Sequence, residues 1–403
     1  MAASGVRLIS FPWACISLEK HRGGVYTSAM AQFISDTDAR QIAKALLEWF
    51  AQHKRPLPWR VRYTPYEIWI SEVMLQQTQM ERGVSYFLRW MERFPDVRSV
   101  AEAPEEEILR YWEGLGYYRR ARFLHQAAKA VVERFGGRIP ESLELLSSLP
   151  GLGAYTVDAI RAIAFQQNVV PVDANVERVF SRLLDIDTPV RKKPASALIK
   201  KEALHLLPSG EARDYAQALM EFGALVCGKA PKCGDCPVRP WCEANRNGTE
   251  RERPVSEAGR EVIPVTSAHG ILLCEKHVLL FQRPSSGLWG NMWEFPGADS
   301  VSGTPHEAVA SIFSQLGFDI CSVSHLGTVS HGYTNHRLTA HFFRMEIDDD
   351  ISMADIGSQL ADIRHRFVRW DSIGELAMPA HHRKMAERYF LRKSRIHAEQ
   401  LHL

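Results

Sequence analysis

The chain has 403 residues, which is long enough for two or three domains and too long for one hydrophobic core. Its 49 Lys and Arg residues nearly balance its 47 Asp and Glu residues, so the composition excludes a global positive field and leaves only a local surface for any nucleic acid. No stretch of 18 or more apolar residues occurs, so we expect a cytoplasmic protein with no spanning helix and no membrane partner.

Residues 1–35 form an extension with little periodicity. A short apolar run from Leu8 to Ile16 follows a single basic residue, Arg7, and lacks the small-residue cleavage pattern of a signal peptide. Met30 begins a stretch with better helical periodicity. We therefore expect the extension to be disordered, or to precede an alternative start at Met30.

The segment 36–247 is predicted to be an all-helical domain. Its first apolar residues, Ile42, Leu46, Trp49 and Phe50, lie at positions i, i+4, i+7 and i+8, which is the spacing of one face of a helix. The alternation of apolar and polar residues that is typical of strands is scarce in this segment.

A turn at residues 149–156 contains the first functional motif. Pro150, Gly151 and Gly153 precede a helical run that starts at Val157. Glycines let a backbone come close to a phosphate, and the first turn of a helix offers unpaired amides and a positive dipole. The pattern is typical of a helix-hairpin-helix motif that contacts DNA, although an ordinary turn between helices can have the same residues.

Four of the seven cysteines lie within 16 residues, at Cys227, Cys233, Cys236 and Cys242. The other three are scattered singly, which argues against a disulfide framework. Four thiolates can hold a zinc ion or an iron-sulfur cluster. The spacing C-x5-C-x2-C-x5-C has only one close pair, whereas zinc ribbons usually have two, so it favours an iron-sulfur cluster without excluding zinc.

Residues 248–267 are charged, contain proline and lack periodicity, so they are predicted to be a linker. Residues 268–395 then show β-rich runs, with one helix predicted from His306 to Gly317 and a basic helical segment from His381 to His397. We expect a smaller α+β domain here, and therefore a multi-domain protein.

Six features of the sequence occur in a recognisable order. They are LPWR (57–60), SEVMLQQTQ (71–79), GLGYY (114–118), LPGLGAYT (149–156), VDANV (172–176) and the four cysteines. Together they resemble the MutY-type adenine DNA glycosylases of the helix-hairpin-helix, endonuclease III superfamily. The resemblance is strong over residues 37–247 and looser beyond. It implies an all-α helix-hairpin-helix glycosylase core with a 4Fe-4S loop (227–242), followed by a Nudix-like α+β domain.

The resemblance implies base-excision repair, in which the protein hydrolyses the N-glycosidic bond of adenine mispaired with 8-oxoguanine or guanine. Glu72 would be the general acid that protonates adenine N7 and then the base for water. Asp173 would stay ionised and stabilise the cationic sugar, while Asn175 and Tyr155 would orient the sugar and the acids. Without the resemblance, Glu72 would be interpreted as a satisfied charge and Asp173 as a helix N-cap.

The same resemblance assigns residues to the substrate. The adenine pocket would consist of Arg55, Trp59, Arg60, Leu75 and Gln217. Chemistry on a stacked base requires the base to leave the duplex, so other residues must contact the DNA and fill the gap. These DNA-binding residues would be Gln77, Thr78, Tyr117, Gly151, Gly153, Tyr333 and Thr334. The partner would be double-stranded DNA with a mispaired adenine, bound by a monomer.

Tyr155 occupies the position that separates two reaction types in this superfamily. Bifunctional members have a lysine two residues after the second hairpin glycine, where it forms a Schiff base with the sugar. A phenol cannot form an iminium, so the chain is predicted to be monofunctional. The first cysteine gap, residues 228–232, is one residue shorter than is common in the family, which is expected to change the shape of the loop more than cluster binding.

Residues 283–297 resemble the Nudix-like recognition domain of these glycosylases. A Nudix hydrolase needs a glutamate-rich helix to hold magnesium, and the predicted helix has only Glu307, so recognition is expected rather than hydrolysis. The family reads 8-oxoguanine with a Phe, Ser or Thr, then His sequence. Here Tyr333, Thr334 and Asn335 take those positions, and Asn cannot become cationic as His can.

Two alternative classes remain open from the residues. One is an endonuclease III-like glycosylase-lyase, against which Tyr155 and the C-terminal domain argue. The other is a non-catalytic DNA-binding module with a four-cysteine zinc site, which would be colourless because zinc has a filled d shell.

Overall fold

The computed structural model describes residues 33–256, 261–347 and 351–391. Almost all of the predicted N-terminal extension, and the end of the basic C-terminal segment, lie outside the described residues. In the part that is described, no helix is long and apolar enough to cross a bilayer.

The first described segment is helical. Its α-helices are α1 (Asp36–His53), α2 (Pro65–Leu75), α3 (Met80–Arg93), α4 (Val97–Glu102), α5 (Glu105–Trp112), α6 (Arg119–Phe135), α7 (Leu143–Ser147), α8 (Ala154–Ala159), α9 (Ala174–Leu183), α10 (Ala195–His205), α11 (Ala212–Leu225) and α12 (Glu243–Asn247). A π-helical turn, Ile160–Ala164, continues α8.

Two hydrophobic cores hold these helices. One core contains side chains from each of the helices α2 through α8, among them three fully buried indoles, Trp69, Trp90 and Trp112. The other joins α1 to α9, α10 and α11 around Phe180 and Phe222. Side chains that point toward the boundary between these two cores therefore lie at the edge of each core.

Helices α2 and α9 carry local signals that fix their first residues. Helix α2 begins at Pro65 after Thr64, whose side chain accepts a hydrogen bond from the Glu67 amide. Its residues 66–74 are buried on every side, which places α2 at the centre of its core. Helix α9 begins after Asp173, whose carboxylate accepts from the amides that follow it.

The C-terminal part is built around a mixed sheet. The strands are β1 (Ile263–Cys274), β2 (His277–Gln282), β3 (Trp293–Glu294), β4 (Gly297–Ala298), β5 (Ile320–Tyr333), β6 (His336–Ile347) and β7 (His365–Arg369), and the helices are α13 (Pro305–Gln315), α14 (Met353–Gln359) and α15 (Ala380–Ala386). The main order is β3-β2-β1-β6-β5, with β4 paired to β1 and β7 to β2. Strands β1 and β6 are parallel, and β5 and β6 form a hairpin that turns at Tyr333 and His336.

The predicted fold class, a helical core followed by a smaller α+β part, is confirmed by this architecture. The helix expected from His306 to Gly317 is α13, which begins one residue earlier and ends two residues sooner. The predicted domain limits at residues 35, 247, 267 and 395 stay a prediction.

Candidate active site

A cavity of about 780 Å³ opens at the boundary between the two helical cores. Side chains from α2, α8 and α11, and from the segments before α9 and around residues 55–60, line it. Of the predicted residues, it brings together Glu72, Asp173, Tyr155, Asn175, Arg55, Trp59, Arg60, Leu75, Gln217, Gln77 and Thr78. The predicted acids and the predicted adenine pocket therefore share one space.

Glu72, on α2, lines this cavity. Its side chain is buried, and the Tyr155 hydroxyl donates a hydrogen bond of 2.6 Å to its Oε2. The same hydroxyl lies 3.3 Å from the Met220 sulfur. Burial, supported by the nearby charge of Asp173, raises the pKa of Glu72 to about 7, against the opposing effects of Tyr155 and Arg60. A substantial fraction of Glu72 is therefore protonated at neutral pH.

Asp173 is the N-cap of α9 and is held by three hydrogen bonds. Its Oδ1 accepts from the amides of Asn175 at 2.9 Å and Val176 at 2.8 Å, and its Oδ2 accepts from Asn175 Nδ2 at 2.7 Å. Burial raises its pKa, and these hydrogen bonds oppose that rise because they stabilise the ionised form. Asp173 is therefore the N-cap of α9 and also part of the lining of the cavity.

The charged residues of the predicted pocket are organised by Glu221, which the sequence reasoning missed. Arg55 Nε donates to Glu221 Oε1 at 2.7 Å, and an Arg60 nitrogen donates to Oε2 at 3.0 Å. Burial alone would raise the pKa of Glu221, but the hydrogen bonds of the two arginines lower it to about 2. Glu221 follows Gln217 by one helical turn on α11, so both side chains lie on the same face of the helix. This spacing could have identified Glu221 from the sequence.

Gln217 has less freedom than its predicted role requires. Its Oε1 accepts from Arg60 Nε at 2.9 Å, and its Nε2 donates to the Arg213 carbonyl at 3.1 Å and contacts the Tyr63 hydroxyl at 3.4 Å. A hydrogen bond from Gln217 to a base would therefore replace one of these existing contacts.

The remaining predicted DNA-binding residues do not line the cavity. Tyr117 is 49% exposed and has a left-handed backbone (φ +48°), as does Gln77 (φ +58°), and such strain is common at functional sites. Gly151 also has a positive φ, and a Cβ there would lie 2.4 Å from the Phe123 side chain. Tyr333 and Thr334 lie at the β5–β6 turn.

Arg120, on α6, is a second residue that sequence reasoning missed. Its guanidinium donates to the carbonyls of Val73 (2.6 Å) and Gln76 (2.8 Å) at the C-terminal end of α2, and to the carbonyl of Gly116 (3.1 Å) in the loop between α5 and α6. Arg120 therefore ties the segment that carries Gln77 to the segment that carries Tyr117. No local pattern marks this role, because Val73 and Gln76 are distant from Arg120 in the chain.

The four clustered cysteines line a second, small cavity beside α9, together with apolar side chains such as Val179, Leu183 and Phe222. Each cysteine is partly buried and none forms a disulfide. The buried Arg182 donates to the Cys227 sulfur at 3.3 Å and to the Gly228 carbonyl at 2.7 Å. A cation beside several convergent sulfurs suits a thiolate-bound metal group, so the donor set fits the predicted cofactor.

Comparisons with known proteins define the class first. Residues 70–203 match the family described as HhH-GPD superfamily base excision DNA repair protein, and residues 268–388 match the NUDIX domain. The thermostable thymine-DNA glycosylase structure is 27% identical with a TM-score of 0.48, and the match covers 53% of this chain and 98% of that one. By the two family matches, the chain combines a segment of the HhH-GPD superfamily of base excision DNA repair proteins with a C-terminal NUDIX domain.

Relatives that match about three quarters of this chain narrow the class to one family. The chain is 33% identical to the adenine DNA glycosylase of Homo sapiens, in a match that covers 75% of this chain and 66% of that protein. It is 32% identical to the adenine DNA glycosylase of Rattus norvegicus, in a match that covers 78% of this chain and 72% of that protein. The chain belongs to the adenine DNA glycosylase family.

Proposed function

We propose that the protein hydrolyses the N-glycosidic bond of adenine mispaired with 8-oxoguanine or guanine in duplex DNA, as a monofunctional enzyme. The observation that carries this proposal is the placement of Glu72 and Asp173 on one cavity, with Tyr155 hydrogen-bonded to Glu72. Among the described side chains that line this cavity there is no lysine, and this supports hydrolysis over Schiff-base chemistry.

The two carboxyl groups have environments that suit different roles. Glu72 is buried with a raised pKa, so it can transfer a proton to N7 of adenine and make the base a better leaving group. Asp173, held by three N–H donors, stays ionised and stabilises the positive charge that develops on the sugar. After the base leaves, ionised Glu72 accepts a proton from the attacking water.

The surrounding residues hold the substrate. Trp59 and Leu75 supply apolar contacts for the purine, while Arg55, Arg60 and Gln217 supply hydrogen-bond donors at the edge of the cavity. The residues that support the strand and fill the gap are Gln77 and Thr78 in the lining of the cavity, and Tyr117, Gly151 and Gly153 outside it. The chain acts as a cytoplasmic monomer with a helical domain at 36–247, a linker at 248–267 and a lesion-recognition domain at 268–395.

The cofactor is a 4Fe-4S cluster held by Cys227, Cys233, Cys236 and Cys242. Four sulfurs that share one zinc ion at about 2.3 Å would lie only about 4 Å apart. Among the described residues, the ligand atoms of His269, His381 and His382 all lie within 4.8 Å of one another. No three of the four cysteine sulfurs lie that close together. The wider sulfur spacing supports a cluster, which stiffens the loop beside α9.

The purified protein is therefore expected to be brown, with broad visible absorbance and about four iron atoms per chain. Replacement of Cys236 by Ser is expected to reduce iron and absorbance strongly and to lower the melting temperature, because the loop loses a ligand. Metal analysis and visible spectroscopy measure both. Cys274→Ser, outside the cluster, is the matched control. A colourless protein with one zinc per chain would contradict the assignment.

Excision should depend on pH through Glu72. The protonated form of Glu72 is the active acid, and its pKa is about 7. The single-turnover rate should therefore be constant below roughly pH 6 and fall about tenfold per pH unit above neutral pH. Tyr155→Phe removes a hydrogen bond that stabilises the carboxylate, so its midpoint should move to higher pH. A midpoint that stays in place or moves to lower pH in this variant would contradict the acid assignment.

The function itself is tested with duplexes that contain adenine opposite 8-oxoguanine, G, C or T. Single-turnover excision is expected to be fastest opposite 8-oxoguanine, slower opposite G and very slow opposite C and T. Borohydride should trap little covalent complex, because no amine attacks the sugar. Efficient trapping, or equal excision of adenine from all four duplexes, would reject the proposal.

A further inference from the structure

The loop of residues 284–292, which we call the docking loop, is one of the places where the Nudix domain contacts the helical domain; the ion pairs Arg383–Glu113 and Arg366–Glu106 are others. The Arg122 guanidinium, on α6, donates to the carbonyls of Ser285 at 2.8 Å and Gly290 at 2.6 Å. Asn291 Nδ2 donates to Glu105 Oε1, in the first turn of α5, at 2.7 Å. The helical domain therefore contacts the docking loop through three hydrogen bonds, of which those at Gly290 and Asn291 are partly buried and the one at Ser285 is exposed.

The shape of the docking loop depends on these contacts. Trp289 (φ +53°) and Asn291 (φ +59°) both have a left-handed backbone conformation, which residues other than glycine rarely adopt. Between them, a Cβ on Gly290 would lie 2.6 Å from the Ser285 carbonyl and 2.9 Å from the Arg122 guanidinium. Such a strained, closely approached conformation persists only where its surroundings hold it.

Trp289 connects the docking loop to the segment Tyr333–Asn335, which we call the reading segment. Its indole is buried, and its ring centroid lies 5.1 Å from that of Tyr333 in an edge-to-face contact. It also contacts His381 at 4.8 Å and His331 at 6.1 Å. Tyr333 thus packs on a side chain of the docking loop, and Arg122 contacts the residue next to it, Gly290.

The base beneath Trp289 is a buried trio, His269, His381 and His382. Their nitrogens approach within 4.8 Å, but the ring centroids of His269 and His381 lie only 4.3 and 4.4 Å from that of His382. The centroids of His269 and His381 lie 5.8 Å apart, so the three rings pack against one another, and His381 joins them to Trp289.

We infer that Arg122 and Trp289 are positioning residues for the base opposite adenine. Arg122 holds the docking loop in place, the docking loop positions the Trp289 indole, and the indole positions the ring of Tyr333 in the reading segment. The helical domain, which excises the adenine, thereby determines where the second domain reads the opposite strand. This inference rests on the proposed function, because it assigns these residues to the recognition of 8-oxoguanine.

The test compares single-turnover excision from duplexes with adenine opposite 8-oxoguanine and opposite G. Arg122→Ala and Trp289→Leu are each expected to slow the 8-oxoguanine duplex about tenfold, equivalent to about 1.4 kcal/mol, with little change on the G duplex. Trp289→Phe, which keeps an aromatic ring, should recover most of the preference. Melting curves and visible absorbance confirm that each variant is folded, and Asn291→Ala provides a milder change in the same contact.

Two controls match the variants. Arg134→Ala removes an arginine on the same helix that donates to Ser148, and Trp370→Leu removes a tryptophan of the same domain that stacks on Phe390. Both should keep the wild-type preference. An unchanged preference in Arg122→Ala and Trp289→Leu, or equal losses on both duplexes, would overturn the inference. Equal rates of the wild-type protein on both duplexes would instead overturn the reading role in the proposed function.

Discussion

Glu72→Gln should bind mispaired DNA with nearly wild-type affinity and release adenine at least about 10³-fold more slowly, because an amide cannot protonate N7. The substituted side chain keeps the shape of Glu72, and its oxygen can still accept the hydrogen bond that Tyr155 donates at 2.6 Å. Burial disfavours the ionised carboxyl, so the variant should be at least as stable as the wild type above neutral pH. Single-turnover excision, DNA-binding titration and melting curves measure these effects.

Glu67→Gln is the matched control for this prediction. Glu67 lies on the same helix, is also buried, and pairs with Arg62 outside the cavity. Its replacement should lower stability, because Arg62 loses its partner, and should leave the excision rate of the folded protein close to that of the wild type. Substantial excision by Glu72→Gln would remove Glu72 from the role of general acid.

Asp173→Asn should slow excision by about 10² to 10³-fold, because the sugar cation loses the negative charge that stabilises it. Asn is as good an N-cap as Asp, and its oxygen can still accept from the amides of Asn175 and Val176. Helix α9 should therefore remain intact, and the melting temperature should change little. The variant separates the charge of Asp173 from its structural role.

Asp96→Asn tests the same exchange at an N-cap outside the site. The Asp96 side chain accepts from the Ser99 amide at the start of α4, and it does not line the active-site cavity. We expect its excision rate to equal that of the wild type. If Asp173→Asn also excised adenine at a nearly normal rate, Asp173 would be only the N-cap of α9, and its charge would have no role in catalysis.

The sequence was most informative where a feature depends on neighbouring residues. The start of α9 follows from the oxygen of Asp173 placed before two free amides, and the start of α13 follows from Thr304 and Pro305 in the same way. The cysteine spacing likewise predicted a thiolate site. The resemblance of six ordered motifs added the family, which relatives of 32% and 33% identity confirm.

The sequence was least informative where a role depends on distant partners. Glu221 meets Arg55 and Arg60 across more than 150 positions of chain, and Arg120 joins two loops that neither its neighbours nor its charge identify. The occupation of Gln217 by Arg60 was also invisible, although it changes what Gln217 can offer a base. Such contacts arise when helices pack, and packing depends on every side chain in both cores.

By itself, the sequence determined the helical and α+β parts, the family, the clustering of four cysteines and the absence of a lysine at position 155, because these depend on residue identity, periodicity and short spacings. Only the tertiary structure decided that Glu72 and Asp173 share a cavity, that burial raises the pKa of Glu72 to about 7, and that Arg122 holds the docking loop. Proximity and desolvation are properties of the packed chain, and no local pattern of residues encodes them.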